Sequence, residues 1–236
     1  ASSIDAVATI LRHAVPDLVA NPEYVTNFLG VKIPPKIFPE ILEGRQGTVE
    51  PCPIPANWHA DIAEWAAVLR AVELAGPMFR IVELGCGYGT FSIPAARRIS
   101  GRLHTFDIDP SMIARTQARA AELKLNNLDA SLRDVFTHGF DVPAKSQDAC
   151  LLFNILHCEE PARLLREAAR VLKDGGTLLA IHWRYAADTP RGPSMEIRPT
   201  PESIARLIHA TGHFDAPSLP IDLPPWHYGL SCKRCD

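Results

Sequence analysis

The sequence predicts a doubly wound α/β domain, in which helices cover both faces of a seven-stranded, mostly parallel sheet. Three observations support this fold class. From residue 80 onward, β-prone apolar runs alternate with helical segments. The runs are nearly continuous in apolar residues, as in parallel strands that are buried on both faces. A glycine-rich turn, LGCGYG, directly follows the first of these runs.

The N-terminal part of the chain predicts helices. Apolar residues recur at helical spacing over 3–15, a short helix fits 21–29, and a longer amphipathic helix fits 56–74. We therefore expect an N-terminal helical extension over residues 1–55 and one α/β domain over residues 56–236.

The apolar runs predict five strands in alternation with helices and two further strands near the C-terminus. The late pair is joined without a helix, so it is expected to form an antiparallel hairpin at the sheet edge. In chain order the seven predicted strands are 80–85, 102–109, 128–135, 148–156, 176–183, 214–221 and 226–234.

Proline marks the start of the helices between these strands. Asp109-Pro110, Glu160-Pro161 and Thr200-Pro201 each place a capping residue before a proline at the first helical position. Glycine follows the end of the last two helices.

The glycines of the turn, Gly85, Gly87 and Gly89, permit a ligand to touch the main chain at the carboxyl end of the first strand. A Walker loop is excluded because no lysine follows a glycine. A dinucleotide site requires G-x-G-x-x-G, but Thr90 stands where the third glycine belongs. The chain also has no Tyr-x-x-x-Lys pair. A nucleoside ligand without a pyrophosphate remains.

Five segments in order resemble the motifs of class I S-adenosylmethionine-dependent methyltransferases, over about residues 58 to 234. They are VELGCGYGT, FDIDPSM, LRDVF, LLFNILHCEEP and VLKDGGTLLAIHW. The resemblance implies a Rossmann-like sheet, S-adenosylmethionine as cofactor, and a small-molecule acceptor like those of quinone-biosynthesis methyltransferases.

The resemblance also implies the cofactor contacts. Asp107 should accept the ribose hydroxyls, Asp134 should meet the adenine amino group, and Glu83 should orient the methionine end or the glycine turn. Ile108 and Val135 should flank the adenine ring. The remaining expected cofactor residues are Gly85, Cys86, Gly87, Gly89, Met112, Asn154 and Leu156.

The acceptor should be bound by residues that follow the fourth and fifth strands. His157 is the candidate general base, because histidine titrates near neutrality, but it could equally be a pocket wall. The other expected acceptor contacts are Cys158, Trp183, Arg184, Tyr185 and Arg198.

Composition narrows the function classes. A formal charge of −3 without a basic block argues against nucleic-acid binding. The chain shows no signal peptide and no apolar run of membrane-spanning length, and six scattered cysteines are typical of reduced thiols, so we expect a cytoplasmic protein. One C-x-x-C, Cys232 and Cys235, is at most half a zinc site, and we expect no metal. The sequence gives no oligomeric state.

Three alternatives stay open at this point. A thiol or arsenic methyltransferase would use Cys158, with Cys52 as a second donor. A non-catalytic protein could bind S-adenosylmethionine as a sensor. An NAD-dependent oxidoreductase is disfavoured by the glycine spacing.

Overall fold

The structure is a computed structural model that describes residues 12–35, 42–50, 79–187, 189, 192–223 and 226–235. The predicted helices over 3–15 and 56–74 lie wholly or mostly outside these residues, as does the predicted domain boundary at residue 55. That boundary stays a prediction.

The first strands form a small separate sheet. β1 (Val25–Asn27) pairs with β2 (Lys32–Ile33) antiparallel and with β3 (Val49–Glu50) parallel. The predicted helix over 21–29 is therefore wrong. Asn27 explains the turn between β1 and β2, because its side-chain oxygen accepts the N–H groups of Leu29 and Val31 at 3.0 and 2.9 Å.

The main sheet has seven strands in the order β6-β5-β4-β7-β8-β10-β9. All pairs from β6 to β8 are parallel, and β10 is antiparallel to both of its neighbours. The strands are β4 (Ile81–Leu84), β5 (Leu103–Asp107), β6 (Leu128–Leu132), β7 (Gln147–Phe153), β8 (Leu172–Trp183), β9 (Ile221–Leu223) and β10 (His227–Lys233). The predicted fold class, with its antiparallel edge hairpin, is confirmed.

Five helices of the described residues cover this sheet. They are α1 (Ser92–Ala96), α2 (Pro110–Glu122), α3 (Val135–His138), α4 (Pro161–Val171) and α5 (Pro201–Ala210). The predicted caps hold for α2 and α5, where Asp109 and Thr200 accept a backbone N–H. Glu160 precedes Pro161 at the start of α4, but its side chain makes no capping hydrogen bond.

The core consists of two apolar layers, one on each face of the sheet. Alternate residues of a strand enter different layers, as Ile81 and Val82 of β4 show. The first layer packs the sheet against α3, α4 and α5, and the second packs it against α1 and α2. Helices on both faces leave the carboxyl edge of the parallel strands as the open end, where a ligand can bind.

Several strand bounds differ from the sequence prediction, and two of these differences have a local cause. β6 ends at Leu132 because Asp134 begins α3. The predicted strand over 214–221 is wrong: β9 starts only at Ile221, and Phe214 makes a single bridge to Arg234. Pro217 and Pro220 explain the delay, since proline cannot donate to a strand ladder.

No helix of the described residues is long and apolar enough to cross a membrane.

Candidate active site at the carboxyl edge of the sheet

The glycine turn between β4 and α1 separates into an open part and a packed part. Gly85, Gly87 and Gly89 all have positive φ, at 87°, 49° and 76°. A Cβ atom built on Gly85 or Gly87 would meet no atom within 4 Å, whereas one on Gly89 would lie 3.0 Å from Ile93 Cγ1. The first two glycines therefore leave main chain accessible to a ligand, and the third allows tight packing against α1.

Asp107 lies at the end of β5, beside this turn. Its Oδ2 accepts the backbone N–H of Gly87 at 3.0 Å, and its Oδ1 accepts that of Asp109 at 3.0 Å. A carboxylate can accept about four hydrogen bonds, so each oxygen keeps capacity for a ligand hydroxyl. The structure thus places the predicted ribose residue against the predicted glycine turn.

Two apolar side chains are exposed next to Asp107. Ile108 is 72% exposed, and Leu132, at the end of the neighbouring strand β6, is 58% exposed. Exposed large apolar side chains at a site edge indicate a ligand surface. Ile108 was predicted to contact adenine and Leu132 was not. The sequence analysis extended this strand to residue 135, so the position of Leu132 at its end, paired with Asp107, appears only in the structure.

Glu83 is buried inside the sheet, with 1% of its surface exposed. Ser92 of α1 donates to its Oε2, while no hydrogen bond from the described residues reaches its Oε1. Burial raises the pKa of Glu83 to about 7, against the opposing effect of the hydroxyls of Ser92 and Thr105, and the charge of Asp107 adds to the rise. The carboxylate joins β4 to the start of α1.

Asp134 and Val135 lie at the carboxyl end of β6, as predicted, but each has a partner in the protein. Asp134 caps α3, accepting the backbone N–H of Thr137 at 3.1 Å and its hydroxyl. These hydrogen bonds lower the pKa of Asp134. The Val135 side chain is buried in the core, which leaves its backbone as the part able to meet a ring.

Three other predicted cofactor residues contribute mainly to packing. Leu156 is buried in the core layer of α4, and Cys86 is buried in the layer of α1. Met112, on α2, is half-buried against the same layer as Cys86. Side-chain contacts of Leu156 with a cofactor do not fit this placement.

Asn154 directly follows β7 and has φ of 52°, in the left-handed region. Asparagine tolerates this conformation better than most residues. Its N–H donates to Ile181 of β8 at 2.8 Å, so the chain turns sharply where β7 and β8 end together. This turn brings His157 to the carboxyl edge of the sheet.

His157 forms a buried polar cluster with two residues that the sequence analysis missed. Its ring meets that of His182 edge-on, with centroids 6.3 Å apart, and His182 lies 6.1 Å from the Tyr228 ring. His157 Nδ1 and His182 Nε2 have no hydrogen-bond partner in the described part of the chain. Burial lowers the pKa of both histidines, that of His182 to about 3, so both are neutral at pH 7.

Cys158 does not have the environment of a reactive thiolate. Burial raises its pKa, and the charges of Glu159 and Glu160 add to the rise. Within the described ranges, no group of three metal-ligating side chains converges there or elsewhere. Cys52, the second donor of the thiol hypothesis, lies outside those ranges.

The predicted acceptor residues after β8 lie in different environments in the structure. Trp183 is buried against His227, with ring centroids 4.3 Å apart, and Tyr185 is 52% exposed. Arg184 pairs with Asp222 of β9. Arg198 is buried and donates to its own segment, including the Ala186 carbonyl at 2.8 Å and the Pro193 carbonyl at 2.7 Å. The expected acceptor contacts of Arg184 and Arg198 do not fit these positions.

Comparison with known proteins finds similarity to methyltransferases. Residues 81–176 match a family described as a methyltransferase domain. A candidate methyltransferase of Jannaschia sp. (strain CCS1) is 59% identical over 70 residues, 30% of this chain and 25% of that protein. Aklanonic acid methyltransferase DauC of Streptomyces sp. (strain C5) is 31% identical over 114 residues, 46% of this chain and 51% of that protein. The chain thus matches about half or less of the length of these relatives.

The fold has solved counterparts. A crystal structure of an Aquifex aeolicus protein superposes with a TM-score of 0.65 at 17% sequence identity, covering 77% of this chain and 94% of that one. At this level of identity the likeness establishes the fold alone.

Proposed function

We propose that this protein is a class I methyltransferase that transfers a methyl group from S-adenosylmethionine to a small-molecule acceptor, and the match of residues 81–176 to a methyltransferase domain supports this proposal. The family match confirms the resemblance that the motifs indicate and supports S-adenosylmethionine as the cofactor. The observation that carries the proposal is the open glycine turn of Gly85 and Gly87, fixed by Asp107 beside the exposed Ile108.

The residues at this edge fit the cofactor in shape and in chemistry. Gly85 and Gly87 have room for its methionine portion against bare main chain. Asp107 has oxygen lone pairs for the two ribose hydroxyls, since in the described part of the chain Oδ1 accepts one backbone N–H and Oδ2 accepts one backbone N–H and the Cys86 thiol. Ile108 and Leu132 offer exposed apolar surface for the adenine ring, and burial of that surface favours binding.

The acceptor side is proposed to lie beyond the ends of β7 and β8, at His157. S-adenosylmethionine supplies a methyl group on a positively charged sulfur, which an in-line displacement transfers to the acceptor atom. His157, neutral at pH 7 because burial lowers its pKa, can receive the proton that an acceptor hydroxyl, amine or carbon loses. His182 and Tyr228 form an almost water-free wall behind it.

The acceptor is proposed to be a small molecule without a requirement for a negative charge. Aklanonic acid methyltransferase takes its name from a small organic molecule. Arg184 and Arg198, the two cations among the predicted acceptor residues, are engaged by Asp222 and by backbone carbonyls. Residues 1–55 are proposed to form an extension of the domain over 56–236.

Parallel calorimetric titrations with S-adenosylmethionine, S-adenosylhomocysteine and NAD test the cofactor. Micromolar binding of the two sulfur compounds and none of NAD is expected. Tight NAD binding, or no binding of any of the three, contradicts the proposal. With binding established, formation of S-adenosylhomocysteine is measured against a panel of phenols, amines, carboxylic acids and thiols. Turnover with any small molecule separates an enzyme from a non-catalytic binding protein.

A further inference from the structure

A cleft of about 220 Å³ lies between the N-terminal segment and helix α2, behind the glycine turn. Pockets for drug-sized ligands measure roughly 300–1,000 Å³, so this cleft fits a smaller group. The residues that determine its chemistry are Tyr24, Lys32, Tyr88, Arg115, Arg119 and Glu122.

The cleft carries excess positive charge. Lys32, Arg115 and Arg119 line it with Glu122, and Glu122 already pairs with Lys32. The formal balance is three cations against one carboxylate, in a chain whose net charge is −3. Arg115 and Arg119 stand four residues apart on one helix face, where like charges repel. An anion between them would remove that repulsion.

The environment of Arg119 disfavours its positive charge. Burial lowers its pKa to about 10; the charge of Arg115 acts in the same direction, and Glu122 opposes it. A guanidinium out of water needs acceptors for its N–H groups. Among the described residues, the hydrogen-bond acceptor found for it is the Tyr88 carbonyl. Further donors of Arg119 remain for a ligand.

Arg115 has still more unused donors. Its guanidinium lies 5.1 Å from the centroid of the Tyr88 ring, and it makes no hydrogen bond or ion pair with any described residue. Stacking on an aromatic ring fixes the plane of a guanidinium and leaves its edge free for a bidentate contact. Phosphate and carboxylate oxygens match that edge.

The cleft is separate from the proposed cofactor site but touches the same turn. Arg119 is nine residues after Pro110, which places it about 13 Å down the helix axis from the end near Asp107. Arg119 nevertheless donates to Tyr88, and Thr116 donates to the Gly87 carbonyl at 3.2 Å. A ligand that draws on Arg119 therefore acts on the backbone that the cofactor would contact.

We propose that this cleft binds a small oxyanion, a phosphate or carboxylate group of a small metabolite, and that its occupancy is coupled to ligand binding at the glycine turn. Coupling of this kind is reciprocal: each ligand changes the affinity of the other by the same factor.

Calorimetric titration of the whole protein with inorganic phosphate, and separately with succinate, at constant ionic strength set by sodium chloride tests the binding. Saturable binding of either anion is expected, and the tighter of the two identifies the group. Arg115→Gln should weaken it at least tenfold, because a charge-assisted contact is lost. Arg166→Gln removes the same charge from an exposed position on α4 and should leave the affinity unchanged.

Absence of saturable binding in the wild type overturns the proposal, as does equal affinity in wild type and Arg115→Gln. Arg115→Lys is the second variant: it keeps the charge but not the bidentate edge, and weaker binding by Arg115→Lys supports the bidentate contact. For the coupling, S-adenosylhomocysteine is titrated with and without saturating phosphate. A changed dissociation constant supports coupling, and an unchanged one refutes it. If S-adenosylhomocysteine does not bind at all, the proposed function fails while the anion titration still decides this site.

Discussion

Asp107→Ala is the substitution that tests the candidate cofactor site most directly. The carboxylate is positioned by two backbone N–H groups, at Gly87 and Asp109, each 3.0 Å from a different oxygen. A carboxylate accepts about four hydrogen bonds, and the remaining capacity is proposed to serve the two ribose hydroxyls. Loss of the side chain therefore removes ligand contacts and also loosens the glycine turn.

The expected loss of affinity follows from the count of hydrogen bonds. A hydrogen bond to a charged group contributes about 1.5–3 kcal/mol. Because Asp107 is only half-buried, the lower value applies, and two ribose contacts amount to about 3 kcal/mol. Since about 1.4 kcal/mol corresponds to a factor of ten, S-adenosylhomocysteine should bind Asp107→Ala about a hundredfold more weakly in calorimetric titration.

Asp109→Ala is the matched control. It removes the same charge two residues away, but Asp109 caps α2, accepting the Ser111 N–H at 2.7 Å. Loss of such a cap destabilises the helix, so the melting temperature should fall while the ligand affinity stays within about threefold of wild type. If Asp107→Ala binds S-adenosylhomocysteine as wild type does, or if both variants lose affinity equally, the ribose assignment is refuted.

Three further outcomes are expected. The fold raises the pKa of Glu83 from 4.5 to about 7, so the folded state binds the Glu83 proton more tightly than the unfolded state. The stabilisation of the fold by this proton is therefore complete below pH 4.5 and is lost as pH rises through 7. In denaturant titrations between pH 4.5 and 7, the free energy of unfolding of wild type should fall by about 3 kcal/mol relative to that of Glu83→Gln. Parallel curves of unfolding free energy against pH for the two proteins would contradict this. Gly87→Val should abolish ligand binding, because its side chain enters the open space of the turn, and it should also lower the melting temperature, because φ of 49° strains a β-branched residue. Gly89→Val should lower the melting temperature further, because its Cβ would also lie 3.0 Å from Ile93 Cγ1. Undiminished ligand binding by a folded Gly87→Val variant would exclude the open part of the turn as the ligand site. His157→Ala should reduce turnover about a hundredfold or more and leave S-adenosylhomocysteine affinity within about threefold; undiminished turnover would show that His157 is only a wall.

The parallel sheet could be predicted from sequence because its signals are local. Each strand is a continuous apolar run, and Asp109-Pro110 and Thr200-Pro201 start the helices that follow. The N-terminal sheet had no such signals. Val25–Asn27 is only three residues long, and its strand character depends on pairing with Val49 and Ile33, which no local pattern reveals. A three-residue strand and a helical turn look alike at that length.

The candidate site, too, could be predicted only where its residues have local sequence signals. Asp107 and the glycines follow strand ends, and parallel strands bring such positions together. His182 was missed because it lies inside β8, where a histidine in an apolar run carries no motif. Its neighbours become visible only from the register of β8 with β10, which pairs it with Tyr228, and from the turn at Asn154 that brings His157 over it.

The sequence also cannot distinguish a charged side chain that binds a ligand from one that holds the protein together, because the difference lies in how many hydrogen-bond groups are already used. Arg198 directs Nε, Nη1 and Nη2 at the Pro193, Arg184 and Ala186 carbonyls and at the Thr189 hydroxyl. An acceptor could reach Arg198 only by displacing backbone contacts of the segment. Asp107, by contrast, uses one lone pair of each oxygen on the backbone. Both residues carry a charge and are held by hydrogen bonds, but only Asp107 keeps acceptor capacity for a ligand, and that combination makes it the better candidate for binding one.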